Sequence, residues 1–215
     1  MSSHSHDYIP AAGRDSLLRF YDPLTRLLGA DRVRAKLLDA AEVQAGEQVL
    51  DLGAGTGAVS LLLAKRQPGA RIVGLDPDAK ALALAERKAS RAGARIEWRQ
   101  GYAGRAPFPA HSFDHVVSSL VIHHLAADDK RAAFRDVVRL LRPGGRFHLL
   151  DFGPPRNAWE RALTALFHHD ARMQDNLRGV LPDWLREAGF DDVREVESHQ
   201  TLFGRVSLYS ARAPS

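Results

Sequence analysis

From Ser16 to Ala41 apolar residues return at helical spacing: Leu17 and Leu18, then Leu24, Leu27 and Leu28, then Val33, Leu37 and Leu38. Recurrence every three or four positions marks one face of a helix, and Pro23 and Gly29 divide the stretch into two or three helices. From Glu47 onward the pattern changes to short apolar runs. "EQVLDLG" predicts a strand and "AVSLLLAKR" the helix after it. "ARIVGLD" predicts a second strand, and Asp78 to Arg91 an alanine-rich helix closed by Gly93. "RIEWRQ" and "FDHVVSSLV" predict two more strands, Asp128 to Leu141 a helix stopped by "RPGG", and "RFHLLDF" a fifth strand. Strands alternating with helices at this interval predict a parallel sheet covered by helices on both faces.

After Gly153 the alternation ends. Residues 157–188 predict helix, with Gly189 suited to cap its C-terminus. "DVREVESHQ" and "TLFGRVSLYSAR" then follow with no helix between them. Strands joined that tightly pair antiparallel, because a parallel return needs a crossover of about a dozen residues or more. The expected fold is α/β: a Rossmann-like, mostly parallel seven-stranded sheet with helices on both faces and a C-terminal antiparallel β-hairpin.

Composition narrows the function more than the fold. The 215 residues suit one domain with a small addition, and 45% hydrophobic with 26% charged content is ordinary for a soluble globular protein. No apolar run approaches the ~20 residues that span a bilayer, and "MSSHSHDYIP" lacks the layout of a secretory signal, so a cytoplasmic protein is expected. Cysteine is absent. That excludes disulfides, thiolate metal sites and thiolate attack on a pyrimidine ring. The formal charge of +4 comes from arginines scattered among acids, which reads as a solvated surface rather than a nucleic-acid face.

The chemistry concentrates in "VLDLGAGTG", where Gly53, Gly55 and Gly57 alternate behind the first strand. Glycines there let backbone N–H groups approach a ligand at a helix N-terminus. A nucleoside-triphosphate loop would need Lys followed by Ser or Thr, and Ala58-Val59 stand there instead. A dinucleotide loop fits better: Gly53, Gly55 and Ala58 satisfy G-x-G-x-x-G/A, and Asp76 ends the next strand where a ribose acceptor belongs. Against it stand Asp51 two residues ahead, the third glycine at Gly57, the long helical stretch before the motif, and the terminal hairpin.

Across residues 45–152, in "VLDLGAGTG", "VGLDPD", "FDHVVSSLVIHHL" and "LLRPGGRFHLLDF", the chain resembles the class I S-adenosylmethionine-dependent methyltransferases. It is similar above all to the small-molecule group that includes ubiquinone and menaquinone biosynthesis enzymes, which also carry a Tyr-Asp pair like Tyr21-Asp22. The resemblance implies S-adenosylmethionine as cofactor. It places Gly53, Ala54, Gly55 and Gly57 at the amino-acid end, Asp51 at the ammonium, Asp76 on the ribose hydroxyls, and Pro77 beside the adenine. Tyr102 and Ala103 follow the third strand, where many relatives instead carry an acidic or amide residue that meets the adenine amino group. Ser119 ends the fourth strand, facing cofactor and acceptor. Two bland readings stand beside these: Asp51 as a loop cap and Tyr102 as a core aromatic.

By the same resemblance, residues 1–44 form an N-terminal helical lid or extension and 45–215 the methyltransferase domain, with 153–180 as a helical insert over the acceptor. The acceptor segment "SSLVIHHL" lacks the Asn or Asp, two prolines and aromatic of base N-methyltransferases. Candidates for a catalytic role are His123, His169 in "LFHHDARMQD", and Tyr21 in the lid. No metal is expected, since the adjacent His168 and His169 would point about 100° apart on a helix. The expected partner is a small acceptor, aromatic or amphiphilic, with no nucleic acid and with oligomeric state open, a homodimer included. The rivals are an NAD-linked oxidoreductase, for which no Tyr-x-x-x-Lys pair is present, and a non-catalytic adenosyl-binding module. An RNA methyltransferase is a weaker third.

Overall fold

The computed structural model describes residues 30–167, 170–201 and 204–215. Helix α1 (Ala30–Ala41) precedes a run of alternating elements: β1 (Gln48–Leu52), α2 (Ala58–Arg66), β2 (Arg71–Asp76), α3 (Ala79–Ala92), β3 (Ile96–Gln100), β4 (Phe113–Ser119), α4 (Ala127–Leu140) and β5 (Leu141–Phe152). There follow α5 (Ala158–Phe167), α6 (Gln174–Arg178), α7 (Leu181–Glu187), β6 (Asp191–Thr201) and β7 (Gly204–Arg212), with short 3-10 turns at Ile122–His124 and Ala171–Met173. The seven strands form one sheet in the order β3-β2-β1-β4-β5-β7-β6. The first five are parallel, and β7 runs antiparallel to both β5 and β6. The hairpin is as expected; its last strand inserts between β5 and β6.

Strand β1 lies between β2 and β4, covered on both faces. Leu50 and Leu52 join Val116, Phe134 and Phe147 on one side. Val49 joins Val117, Leu150 and Leu208 on the other, beneath Leu37 and Leu38 of α1. Burial on both faces explains why these strands read as continuous apolar runs rather than alternating ones. β6, at the far edge, is charged and largely exposed, as suits an edge that must not recruit another chain. Lys36 of α1 pairs with Glu197 on it. No helix among the described residues is long and apolar enough to cross a membrane.

Helix boundaries follow local chemistry. The Asp78 side chain accepts the N–H groups of Lys80 and Ala81 to begin α3, and left-handed Gly93 ends it. The expected helix over 157–188 is instead three short helices and a 3-10 turn. Gly179, at φ 76°, terminates α6, and Pro182 sits in the first turn of α7. Leu141 belongs to β5 rather than to the helix before it. Residues 142–145 then loop out between the pairs Phe113–Leu141 and His115–Arg146.

One glycine fixes the spacing of β2 and β3 near the C-terminal ends of the strands. A Cβ on Gly74 of β2 would lie 2.4 Å from the Trp98 ring on β3 and 3.1 Å from Ala54. Gly74→Ala is expected to cost about 1–3 kcal/mol of stability through overpacking. Combined with Trp98→Leu, it should cost less than the sum of the two single changes. Urea unfolding of the three variants checks this; a Gly74→Ala protein as stable as the wild type contradicts it.

Candidate functional site

The C-terminal ends of β1, β2 and β4 meet where the strand order reverses on either side of β1, the crevice in which open α/β sheets bind ligands. The loop leaving β1 carries positive φ at three alternate positions: 78° at Gly53, 52° at Gly55 and 81° at Gly57. A side chain in that left-handed region costs about 1–2 kcal/mol per residue. Packing makes two of the three obligatory. A Cβ on Gly53 would fall 2.4 Å from the Val121 side chain, and one on Gly57 2.8 Å from Trp98 and 3.0 Å from Ala85. A Cβ on Gly55 would meet no atom within 4 Å among the described residues.

Hydrogen bonds hold the loop on β2. Gly53 and Ala54 donate to the Leu75 carbonyl at 2.8 and 2.9 Å. Gly55 N–H donates to Asp76 Oδ2 at 2.8 Å, and Asp78 N–H to Asp76 Oδ1 at 2.9 Å. Burial pushes the Asp76 carboxyl above its ordinary range despite both bonds. Each oxygen accepts one of these N–H groups, and a carboxylate oxygen can take two donors, so Asp76 retains capacity for hydroxyl donors.

Asp51 is 2% exposed. Its Oδ2 accepts Ser60 N–H at 3.0 Å and the Ser60 hydroxyl at 2.6 Å. Because the α2 N-cap is Gly57, which has no side chain to offer, Asp51 serves the first turn of that helix from the strand. The capping reading is therefore realised. Burial pushes the Asp51 carboxyl up to about 6.

The Pro77 carbonyl accepts from Gln100 Nε2 at 3.0 Å. Tyr102 is 47% exposed, which removes the core-aromatic reading, while Ala103 packs at the core margin. Ser119 lies just past the last β1–β4 pair, Asp51–Val117. Its buried Oγ has no hydrogen-bond partner among the described residues.

His123 lies two residues beyond Val121, in the 3-10 turn after β4. Its Nδ1 is 2.7 Å from Asp151 Oδ1. Asp151, fully buried at the end of β5, also accepts at Oδ2 from the N–H groups of Val121, Ile122 and His123 at 3.2, 2.8 and 3.3 Å. Oδ1 takes Phe152 N–H at 2.7 Å and Asn176 Nδ2 at 3.2 Å. Burial pushes Asp151 up, but the neighbouring His123 and these donors outweigh it and hold the carboxyl below its usual range. Lys130 of α4, fully buried, donates to the Arg172 carbonyl, to Asn176 Oδ1 at 2.9 Å and to Asp175 Oδ2 at 3.3 Å. Sequence reasoning missed Asp151, Asn176 and Lys130. Only the carboxylate ending the apolar run "FHLLDF" hinted at them. Tyr21, Asp22, His168 and His169 lie outside the described residues.

A cavity of about 850 Å³ opens at the opposite, N-terminal edge of the sheet, lined by Glu47, His115, Arg142 and Arg146 among others; no residue of the glycine loop lines it.

Comparison with known proteins bears on this arrangement. Residues 49–145 match a family model described as a methyltransferase domain. The chain is 41% identical to the demethylmenaquinone methyltransferase of Thermus thermophilus over 63% of this chain and 62% of that protein. It is 36% identical to the demethylmenaquinone methyltransferase of Tropheryma whipplei, over 79% of this chain and 75% of that one. Among solved structures, the 4+2 cyclase SpnF superposes with a TM-score of 0.70 at 21% identity, over 86% of this chain and 80% of its own, which shows the shared fold. Alignment with the first two curated relatives spans about three fifths of their length, 62% and 61%. Glycine loop, strand order and sequence kinship agree, and the chain belongs to the class I S-adenosylmethionine-dependent methyltransferases.

Proposed function

We propose that the protein transfers a methyl group from S-adenosylmethionine to a small aromatic acceptor. The observation that carries this reading is the glycine loop. Its outer glycines are closed by packing, the middle one is open, and a buried carboxylate sits at the end of the neighbouring strand. The residues present fit the cofactor. At Gly55 no described residue lies within 4 Å of where a Cβ would stand, and Ser119, at the end of β4, has a buried hydroxyl without a partner among the described residues. In this reading the loop amides and the α2 N-terminus receive the carboxylate of the amino-acid end, Asp51 the ammonium, and Asp76 the ribose hydroxyls. Pro77, Tyr102 and Ala103 flank the adenine.

The cofactor supplies an electrophilic methyl group on a sulfonium centre. What remains for the protein is to align the acceptor and exclude water. We assign that part to residues 1–44 as a lid or extension and to 153–180 as a cap, which Lys130 and Asn176 tie to α4 and β5. The names of relatives, demethylmenaquinone and 2-phytyl-1,4-naphtoquinone methyltransferases, favour a quinone-like acceptor. Calorimetric titration with S-adenosylhomocysteine and with NAD tests the cofactor. Saturable binding of the first alone is expected; binding of NAD, or of neither, overturns the reading.

Two variants separate binding from folding. Gly55→Ala should keep the fold, lose about 1–2 kcal/mol to backbone strain, and bind S-adenosylhomocysteine at least about tenfold more weakly. Unchanged affinity in that variant would contradict the cofactor's place at this glycine. Asp51→Asn probes the buried carboxylate. Burial lifts the folded pKa of Asp51 to about 6, above the ordinary 3.8, so the native chain holds this proton more tightly and stability falls as pH rises between them. Asp51→Asn should therefore gain nothing near pH 4 and up to about 3 kcal/mol at pH 8. It should at the same time lose cofactor affinity. Urea unfolding at both pH values, with calorimetry, checks both halves.

A further inference from the structure

Building on the methyl-transfer reading, we propose that Gln100 selects the base of the cofactor: its side-chain oxygen accepts the 6-amino group of adenine and disfavours a base with a 6-oxo group. Gln100 ends β3 beside Asp76, its partner in the parallel register. Neighbouring strands lie about 4.8 Å apart, and the pairing sets both side chains on one face of the sheet. Past this pair the strands stay joined, with Gly101 N–H donating to the Asp76 carbonyl at 3.2 Å. Packing fixes the same point: a Cβ on Gly101 would lie 2.9 Å from Leu75 and 3.1 Å from Pro107. The group that reads the base thus starts next to the carboxylate assigned to the ribose.

One hydrogen bond orients the amide. Gln100 is exposed, and an unrestrained glutamine there would extend into water. Instead its Nε2 donates to the Pro77 carbonyl at 3.0 Å. A carbonyl only accepts, so the amide must turn its NH₂ to that side, which leaves Oε1, on the other arm, for a ligand donor. Pro77 follows Asp76 directly and stands beside the adenine in the proposed reading. The bond therefore draws the side chain across the end of β2 to the base. For the fold it does little, since the net worth of a surface hydrogen bond is comparable to the freedom a glutamine side chain gives up. What it fixes is direction.

Direction is what tells one purine from another. The 6-amino group of adenine donates, whereas a 6-oxo group accepts. Against Oε1 the first makes a hydrogen bond, and the second sets two acceptors face to face. Turning the amide over to suit the oxo group would set Oε1 against the Pro77 carbonyl instead. The polar side chains around Gln100 lack this bias. The Tyr102 hydroxyl both donates and accepts, so it suits either base. Asp78 is turned to the first turn of α3, where it accepts from Lys80 and Ala81. Glu97 and Arg99 pair with each other on the opposite face of β3. Gln100 stands two residues ahead of Tyr102, the position at which the resemblance implies an acidic or amide acceptor, so the resemblance assigns Gln100 no part.

The test is calorimetric titration of the full chain with three ligands: S-adenosylhomocysteine, its analogue with an unsubstituted purine in place of adenine, and S-inosylhomocysteine, whose base is hypoxanthine. The purine analogue lacks only the amino group, so its Kd relative to that of S-adenosylhomocysteine measures what that group contributes. In the wild type this ratio should be at least about tenfold, and the inosyl compound should bind more weakly still. In Gln100→Ala the adenosyl ligand should weaken to the level of the purine analogue, whose own affinity stays as it was. Tyr102→Phe, which keeps the ring and drops the hydroxyl, should keep the wild-type ratio. Because the ratio is taken within each variant, a loss of folded protein cannot imitate it. A wild type that binds the purine analogue or the inosyl compound as tightly as the adenosyl one overturns this inference. So does a ratio that survives in Gln100→Ala, or one that disappears in Tyr102→Phe. If the wild type binds none of the three ligands, the methyl-transfer reading falls instead.

Discussion

The path of the backbone from Gly53 to Gly57 is the constraint on which the rest of the structure depends. Three left-handed residues at alternate positions turn the chain from β1 into α2 within five residues. Val121 closes on the first glycine, and Trp98 with Ala85 on the third. That clamp joins β1 to β4 on one side and to β2, β3 and α3 on the other. The alanines at 81, 85 and 89 let α3 approach closely enough to complete it. What stays open among the described residues, at Gly55, is the part we propose for the cofactor.

Carboxylates around this loop show how one residue type is set to different tasks by its surroundings. Asp51 and Asp76 are buried with few donors, and burial raises both. In the proposed reading each has acceptor capacity left for a cationic or hydroxyl donor. Asp151 is buried as deeply yet fully engaged, and its carboxyl is lowered. The first two suit a ligand; the third suits holding a side chain still.

Much of this was legible along the chain because it is local. Strand runs, the Asp78 and Gly93 caps of α3 and the alternating glycines each depend on neighbours within a few positions. The hairpin was legible too, but not the insertion of β7 beside β5, since nothing in either strand names its distant partner. The division of 157–188 turns on Gly179 and Pro182, breakers that the helical reading passed over. Nothing in "ADDKR" marks Lys130 for burial, and Asp151 stands near the end of an apolar strand. Their meeting through Asn176 joins α4, β5 and α6, with Lys130 and Asn176 more than forty positions apart in sequence, a juxtaposition only folding makes. The sequence around Tyr102 leaves a core position and a surface one open, and its exposure decides against the core.

The central claim is that the open face at Gly55 is where the cofactor binds. Following backbone amide shifts by NMR while S-adenosylhomocysteine is added tests it most directly. Saturable shifts centred on Gly53 to Gly57, Asp76 and Ser119 are predicted. Shifts centred on the cavity at the other edge of the sheet, around Glu47, His115 and Arg146, or no shifts at all, would contradict it.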